Sequence, residues 1–316
     1  MKIILAPMEG VVDHLMRDML TKVGGFDMCI TEFVRVVEQL LPAKTFYRLC
    51  PELNNLSQHI NMRSATPNGV PVRVQLLGQH AQWLAENAVR AIELGSYGVD
   101  LNFGCPAKTV NKSKGGAVLL KEPETLYQIV KAVRDAVPRE HEVSAKIRLG
   151  YEDTSLVLEN ADAITQAGAS MLTVHARTKT DGYKPPAYWP WIAKIKQTTN
   201  IPLIANGEIW NALDAKECQR QSNCENIMLG RGALAMPNLA MTIKHQHKAL
   251  TWDEIRALLV AYSGYEIFGD KGRYYPNRIK QWLGYLKRQY IEAEDMFSQI
   301  RSLKSSQDIV EQIKLG

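Results

Sequence analysis

Cys105 lies in the most specific local pattern of this 316-residue chain, Asn102-Phe103-Gly104-Cys105-Pro106. Glycine before the thiol and proline after it predict a turn that holds the sulfur in a fixed, exposed place. Lys108 and the following loop, Lys112-Ser-Lys-Gly-Gly116, add positive charge that would lower the pKa of the thiol. We interpret Cys105 as a reactive group. The alternative, a small buried apolar residue, fits Cys29 better, and we expect it for Cys218 and Cys224.

Three further candidate site residues lie within predicted strands or at the end of one. The amide of Gln75 offers a donor and an acceptor, and the cation of Lys146 stabilises an anionic ring, so the pair suits the polar edge of a flavin. Lys146 is equally compatible with a Schiff-base lysine or a structural ion pair. His175 is compatible with a core histidine whose hydrogen bonds are satisfied.

Two glycine loops come late in the chain, Asn206-Gly207-Glu208 and Gly230-Arg231-Gly232. Glycine lets backbone N–H groups approach a phosphate closely, and Arg231 would supplement them. Either loop alone is compatible with an ordinary turn between a strand and a helix. Together, after the last two strands, they favour a phosphate site.

The elements that must position these residues alternate between β-rich runs and helical periodicity. The predicted strands are Ile3–Ala6, Met28–Thr31, Val72–Leu77, Gly98–Asn102, Val143–Arg148, Leu172–His175, Leu203–Asn206 and Asn226–Gly230. Predicted helices between them include Gln82–Leu94, Glu124–Ala136 and Leu156–Ala167. We predict an α/β fold, a (β/α)8 TIM barrel, over a doubly wound sheet, because polar residues gather after nearly every strand.

After about Met236 the pattern changes to helices only, at Trp252–Ser263, Asn277–Tyr290, Glu292–Ser302 and Asp308–Ile313. We therefore predict a catalytic barrel at residues 1–240 and a small helical domain at 241–316. Residues 271–288 hold six basic and no acidic side chains, interleaved with aromatic ones. On a helix this segment predicts an apolar stripe beside a phosphate-binding face, with a merely solvated basic face as the alternative.

Composition narrows the class of protein. The chain is 46% hydrophobic and 22% charged, with a formal net charge of +5, as in a folded globular protein. It has no run of about 18 apolar residues, and Glu9 comes too early for a secretory signal, so we expect a cytoplasmic protein that does not bind membranes. Its five cysteines lack Cys-x-x-Cys spacing, which argues against a disulfide framework and a metal site.

Taken together, the motifs resemble the tRNA-dihydrouridine synthase family, particularly its C-type branch, over essentially the whole chain. The motifs that carry the resemblance are Leu5-Ala-Pro-Met-Glu-Gly-Val, Thr31-Glu-Phe-Val-Arg-Val-Val, Asn102-Phe-Gly-Cys-Pro, Lys146-Ile-Arg-Leu-Gly, His175-Ala-Arg-Thr, Asn206-Gly-Glu and Gly230-Arg-Gly.

The resemblance implies that the protein reduces a uridine of tRNA, at position 16 in the D-loop, to 5,6-dihydrouridine. NADPH would reduce FMN, hydride would pass from reduced FMN to C6, and Cys105 would protonate C5. The implied FMN contacts are Pro7, Met8, Glu9, Gln75, Lys146, His175, Asn206, Gly207, Glu208, Gly230 and Arg231. The RNA-binding residues that we predict are Arg35, Asn102, Arg148, Tyr183, Arg278, Lys280, Tyr285 and Arg301. We expect a monomer that needs no protein partner.

The chain departs from the family pattern in three places. Ala176 replaces a common glycine, Lys112 and Lys114 add charge after Cys105, and residues 58–65 look like an insertion. Other readings of the residues remain: an FMN reductase of a small enone or free pyrimidine, a lyase that uses Lys146 as a Schiff base, and a barrel that only binds RNA.

Overall fold

The strands form because apolar residues alternate between two faces. In strand β1, Ile3–Leu5, the side chains of Ile3 and Leu5 pack outward against the helices. Ile4 and Ala6 instead pack inside the sheet with Met28, Ile30, Met171, Ile204 and Met228. A strand that is buried on both faces is typical of a parallel sheet covered by helices. The computed structural model describes residues 1–58, 63–267 and 274–315.

In this described part of the chain, eight parallel strands close into a barrel in sequence order. After β1 they are β2 (Met28–Arg35), β3 (Val72–Leu77), β4 (Val99–Phe103), β5 (Val143–Arg148), β6 (Met171–His175), β7 (Leu203–Asn206) and β8 (Asn226–Leu229). Ile4 of β1 is in register with both Met28 and Met228, which closes the ring. The predicted (β/α)8 barrel is confirmed, and a doubly wound sheet is excluded.

The helices between the strands are α1 (His14–Val23), α2 (Ala43–Leu49), α3 (Ala81–Glu93), α4 (Lys108–Lys112), α5 (Pro123–Ala136), α6 (Val157–Gln166), α7 (Pro190–Thr198) and α8 (Ala212–Ser222). Two 3-10 helices, Pro51–Gln58 and Gly116–Lys121, lie among them. Local chemistry sets their starts: Asp13 accepts a hydrogen bond from the N–H of Met16, and Asn211 accepts one from the N–H of Asp214. Helix α5 begins at Pro123 and buries Leu126, Ile129, Val130 and Val133.

After β8 the structure is helical, with α9 (Arg231–Ala235), α10 (Leu239–His245), α11 (Trp252–Ile267), α12 (Tyr275–Leu286), α13 (Glu292–Ile300) and α14 (Ser306–Leu315). The predicted apolar stripe of α12 is buried, at Ile279, Trp282, Leu283 and Leu286. Trp282 Nε1 donates to the carbonyl of Leu234 over 3.1 Å, which joins α12 to α9. Helix α10 spans residues 240 and 241, and the predicted division of the chain there stays a prediction.

Strand β2 is longer than predicted. It continues from Thr31 to Arg35, with a shift in its pairing to β3 between Ile30 and Phe33. The shift carries Glu32 and Phe33 to the rim of the barrel, at its carboxyl end. Because polar residues such as Glu32 interrupt the apolar run, the sequence pattern ended the strand at Thr31 and missed residues 32–35.

Candidate active site

A cavity of about 500 Å³ opens at the carboxyl ends of the strands, where (β/α)8 barrels hold their active sites. The structure brings most of the predicted site residues together around it. They are Pro7, Met8, Glu9, Gln75, Asn102, Cys105, Lys146, Arg148, His175, Tyr183, Asn206, Gly207, Glu208, Gly230, Arg231 and Tyr285. Glu32, Phe33 and Trp210 also line it. Glu32 and Phe33 belong to a motif that carries the family resemblance but were not among the predicted site residues, and Trp210 lies in no such motif.

The loop of Cys105 is held on both sides of the thiol. Asn102 Oδ1 accepts hydrogen bonds from the N–H groups of Gly104 and Cys105, over 2.9 and 3.0 Å. The carbonyl of Cys105 accepts from Asn111 Nδ2 at 2.9 Å and from the N–H of Ala117 at 3.1 Å. Gly116 packs closely here, since a Cβ on it would lie 2.9 Å from the carbonyl oxygen of Cys105. The fixed turn predicted around Cys105 is therefore present, but the prediction that it exposes the sulfur was wrong, because Cys105 is buried.

The predicted electrostatics of Cys105 were wrong. Burial raises the pKa of the thiol, and the charge of Glu9 adds to the rise, while the N–H of Ala107 and the cations Arg148 and Lys146 oppose it. Cys105 is only 8% exposed, and Lys108 and the loop lysines point to solvent, where water screens their charge. The thiol is consequently protonated near neutral pH, which suits a proton donor better than a nucleophile.

Lys146 and His175 lie in the cavity wall with unusual ionisation. Burial and the charge of Arg148 lower the pKa of Lys146 to about 8, against the opposing charges of Asp100 and Cys105. Burial, with Arg148 and Lys146, lowers the pKa of His175 well below its usual value, so the imidazole is neutral. Among the described residues its buried Nδ1 has no hydrogen-bond partner. His175 is therefore not a core histidine with satisfied hydrogen bonds, as one interpretation held.

The two glycine loops meet at one edge of the cavity. Asn206 Nδ2 donates to the carbonyl of Met228 over 2.8 Å, which ties β7 to β8 below the loops. Gly207 has φ +116°, a backbone conformation that L side chains rarely adopt. A Cβ on Gly230 would lie in ordinary contact with Met8 Sδ, at 3.4 Å, and both Gly207 and Gly230 line the cavity. The loops thus form one concave surface, as a shared phosphate site requires.

Glu208 neutralises part of this positive edge. Its carboxylate accepts hydrogen bonds from Arg177 and from Trp210 Nε1, the latter at 2.7 Å, and lies 3.7 Å from Arg231. Burial opposes ionisation of Glu208, but the bonds from Arg177 and Trp210 and the nearby cations outweigh it and lower its pKa. Glu208 is therefore an anion that fixes the guanidinium groups around it.

Aromatic and cationic side chains form the mouth of the cavity. Tyr183 is 52% exposed, and its ring lies 5.1 Å from the guanidinium carbon of Arg148 and 4.7 Å from that of Arg231. Arg288 stacks on Trp210, with 3.7 Å between the guanidinium carbon and the ring centroid. Such pairs present flat surfaces with positive charge beside them, which is the chemistry that holds an unstacked nucleobase.

Four predicted RNA-binding residues lie away from the cavity. Arg278 and Lys280 bond within the protein: Arg278 contacts Asp13, and Lys280 Nζ donates to the carbonyl of Leu303 at 2.6 Å. Arg35 donates to Ser113 Oγ at 2.6 Å, and Arg301 is exposed. Lys271 and Arg273, which belong to the predicted basic segment, lie outside the described residues. RNA contact at these positions stays a prediction.

The barrel and the cavity at its carboxyl end, which is lined by a thiol and two glycine loops, define an enzyme, and comparison with known proteins identifies its class. Residues 4–314 match the model of the dihydrouridine synthase family, and the chain belongs to that family. In the part of it that the structure describes, no helix combines the length and apolar character needed to span a membrane.

Curated relatives cover nearly the whole chain. It is 57% identical over 310 residues to the tRNA-dihydrouridine(16) synthase of Shewanella oneidensis, covering 98% of this chain and 96% of that one. It is 56% identical over 314 residues to the protein of the same name from Vibrio cholerae, with 99% and 95% covered. The Escherichia coli K12 protein of that name is 54% identical over 315 residues, with 99% and 98% covered.

Solved structures share the fold at low identity. Histamine dehydrogenase from Rhizobium sp. 4-9 aligns with a TM-score of 0.59 at 14% identity, over 83% of this chain and 48% of that one. Morphinone reductase in complex with tetrahydroNAD aligns with a TM-score of 0.53 at 13% identity, over 79% of this chain and 88% of that one. At this identity the likeness concerns the barrel alone.

Proposed function

We propose that this enzyme reduces a uridine of tRNA, at position 16 in the D-loop, to 5,6-dihydrouridine, with FMN as cofactor and NADPH as reductant. The observation that carries the proposal is one cavity that holds a protonated thiol, a half-buried lysine and two glycine loops. The names of relatives above 50% identity support the substrate and the position.

The residues present fit FMN. The open edge at Gly207 and Gly230, beside Arg231, suits a phosphate, because backbone N–H groups approach it without a side chain between them. The unpaired Nδ1 of His175 and the ammonium of Lys146 are polar groups in an otherwise enclosed wall, and a flavin ring offers partners to both. A cavity of about 500 Å³ is of the size that cofactor sites show.

When bound, FMN would supply the hydride for C6 of the uracil, with NADPH as the source of its electrons. Cys105 would complete the addition by giving its proton to C5. Hydride and proton together saturate the C5–C6 double bond, and a thiolate remains. Arg148 and Lys146, which favour the ionised thiol, stabilise that thiolate until water reprotonates it.

Access of the base to Cys105 requires its extrusion from the folded RNA. Tyr183, flanked by Arg148 and Arg231, and Tyr285 of α12 provide the stacking surfaces that compensate for lost stacking in the RNA. Arg35, Arg278, Lys280 and Arg301 are proposed to position tRNA through phosphates, which orient a substrate without reading its sequence.

The test uses unmodified tRNA transcribed in vitro, the purified protein loaded with FMN, and NADPH. Dihydrouridine should form at position 16, and a transcript with cytidine at that position should remain unmodified. Free uridine and a small enone are run in parallel. Reduction of these small molecules without any dihydrouridine in tRNA would instead support the small-molecule reductase.

A further inference from the structure

Side chains of two neighbouring strands form an unbroken chain of hydrogen bonds that ends at the backbone of the thiol. Asp100 Oδ2 accepts from Gln75 Nε2 at 2.7 Å, and Gln75 Oε1 accepts from Asn102 Nδ2 at 2.8 Å. Asn102 Oδ1 then accepts from the N–H groups of Gly104 and Cys105. Asp100 and Asn102 are two residues apart on β4, so they face the same side of the sheet, and Gln75 is in register beside Asp100 on β3.

All hydrogen bonds in this series run in one donor-to-acceptor direction, and Asp100 determines that direction. A carboxylate only accepts hydrogen bonds, whereas a side-chain amide can turn over and exchange its oxygen with its NH2 group. Gln75 must present NH2 to Asp100 and therefore presents its oxygen to Asn102. Asn102 must in turn present NH2 to Gln75, which directs its oxygen at the loop. A reversed Asn102 would aim NH2 at the N–H groups of Gly104 and Cys105 and leave both unpaired.

Asp100 is itself fixed on its other side. It is fully buried, and Asp100 Oδ1 accepts from Ser144 Oγ at 2.5 Å. Arg73, also fully buried, donates to Ser144 Oγ at 2.9 Å and pairs with Glu142. Burial raises the pKa of Asp100, and the bonds from Gln75 and Ser144, with the charge of Arg73, oppose that rise. Both carboxylate oxygens thus already receive a proton from a neighbour, which is the arrangement of an ionised group.

The backbone of Cys105 is therefore held at its N–H by this chain and at its carbonyl by Asn111 and Ala117. Proton transfer depends steeply on geometry, and a misplacement of about 1 Å can cost roughly 100-fold in rate. If Asn102 could turn over, the hydrogen bond to the N–H of Cys105 would be lost, while the thiol itself would remain.

We propose that Asp100 is a positioning residue for the acid Cys105, acting through the amides of Gln75 and Asn102. The inference rests on the proposed reduction of uridine, because that reaction assigns the acid role to Cys105.

Reversal of the chain tests the inference. In Asn102→Asp the new carboxylate still accepts from the loop but requires a donor from Gln75. Gln75 must turn, and its oxygen then faces Asp100, so two acceptors meet without a proton. We expect kcat for tRNA reduction, measured at saturating tRNA, to fall at least 10-fold.

The double variant Asp100→Asn with Asn102→Asp restores complementarity in the opposite direction. The amide at position 100 donates to Gln75 Oε1 and accepts from Ser144, while Gln75 donates to the carboxylate at position 102. We expect at least a 5-fold gain in kcat over Asn102→Asp alone. In Asp100→Asn alone the direction is no longer imposed, and a loss of about 3- to 10-fold is expected. The matched control, Ser144→Ala with Asn102→Asp, also removes a bond to Asp100 but supplies no donor to Gln75, so it should show no gain.

A second measurement reports the loop directly. The rate at which iodoacetamide alkylates Cys105 in the flavin-free protein should change at least 3-fold in Asn102→Asp and return toward wild type in the double variant. Thermal midpoints identify any variant that fails to fold. If Asn102→Asp does not fold, Asp100→Asn against wild type decides, and equal alkylation rates overturn the inference.

A double variant no more active than Asn102→Asp would also overturn it. Failure of the proposed function looks different: wild type would then form no dihydrouridine in tRNA, while the alkylation pattern still tests the role of Asp100.

Discussion

The guanidinium of Arg278 lies 3.0 Å from the carboxylate of Asp13 and joins helix α12 to the segment after strand β1. It also donates to the carbonyl of Gly10 at 3.0 Å, to that of Val11 at 3.2 Å and to the hydroxyl of Tyr262 at 3.1 Å. The side chain is 15% exposed. Arg278 thus links the helical segment to the barrel, and its contact with RNA stays a prediction.

Replacement of this cation should therefore cost stability. Arg278→Ala removes the cation paired with Asp13 and a donor to two carbonyl groups, and we expect the free energy of unfolding to fall by about 2 kcal/mol. Urea denaturation of the flavin-free protein measures it. Arg301→Ala is the control, since Arg301 is exposed and makes no hydrogen bond or ion pair with other described residues. Equal stability of the two variants would contradict the structural role.

Cys105→Ala should keep FMN and tRNA binding and lose about 100- to 10,000-fold in turnover, because only the proton-transfer group is removed. Single-turnover assays with reduced protein and tRNA measure the loss, and filter binding measures tRNA affinity. The control is Cys224→Ala, a buried cysteine outside the cavity, which should keep wild-type turnover. Retained turnover in Cys105→Ala would eliminate the acid role.

Lys146 predicts a pH dependence of stability. Its pKa in the folded protein is about 8, below its ordinary value of 10.5, because the ammonium is buried. Below pH 8 both states carry the proton, and the folded state bears the full cost of the buried charge. Between pH 8 and 10.5 the unfolded chain binds more protons, so stability rises with pH.

In the flavin-free protein, the free energy of unfolding of wild type should accordingly rise by about 3 kcal/mol relative to that of Lys146→Met between pH 7.5 and 10.5. Urea denaturation across that range measures the difference. The thiol of Cys105, whose pKa is raised, gives a slope of opposite sign in both proteins. Loss of the Lys146 charge, which opposes that rise, raises the thiol pKa further in Lys146→Met and so adds to the expected difference. If the difference in free energy of unfolding between the two proteins did not change with pH, Lys146 would have the same pKa in the folded and unfolded states.

Gly230→Ala tests the phosphate edge. The added Cβ would lie 3.4 Å from Met8 Sδ and 3.6 Å from Ala6 Cβ, which are ordinary contact distances. The methyl group fits the protein but occupies the open edge of the cavity, so FMN affinity should fall at least about 10-fold while the flavin-free protein keeps most of its stability. Fluorescence titration measures the FMN affinity. Gly284→Ala is the control and should keep wild-type affinity, because nothing lies within 4 Å of a Cβ there.

The barrel was predictable because each strand leaves its own local signal. Val72–Leu77 and Val143–Arg148 were placed to the residue, since apolar residues largely alternate with polar ones along both runs. The extension of β2 to Arg35 was not predictable, because it depends on pairing with β3 across a register shift.

The identity of the site residues followed from strand ends, but their electrostatics did not. The pKa of Cys105 depends on burial and on the distance of charges in space, and Lys108 is near in sequence yet directed at solvent. Arg278 shows the same limit: its helix face was predicted, but its partner Asp13 is 265 positions away. Long-range partners decide whether a surface cation is available to a ligand.

The bond from Trp282 to Leu234 restricts how this protein can be divided or recombined. Helix α9, which it anchors, begins at Arg231, and α12 itself sends Tyr285 into the cavity. A shortened chain that ends after the last strand would lose one wall of the cavity. Chimaeras that exchange the helical segment among relatives must therefore carry a matching loop after β8, or the borrowed helices will disturb the shape of that cavity.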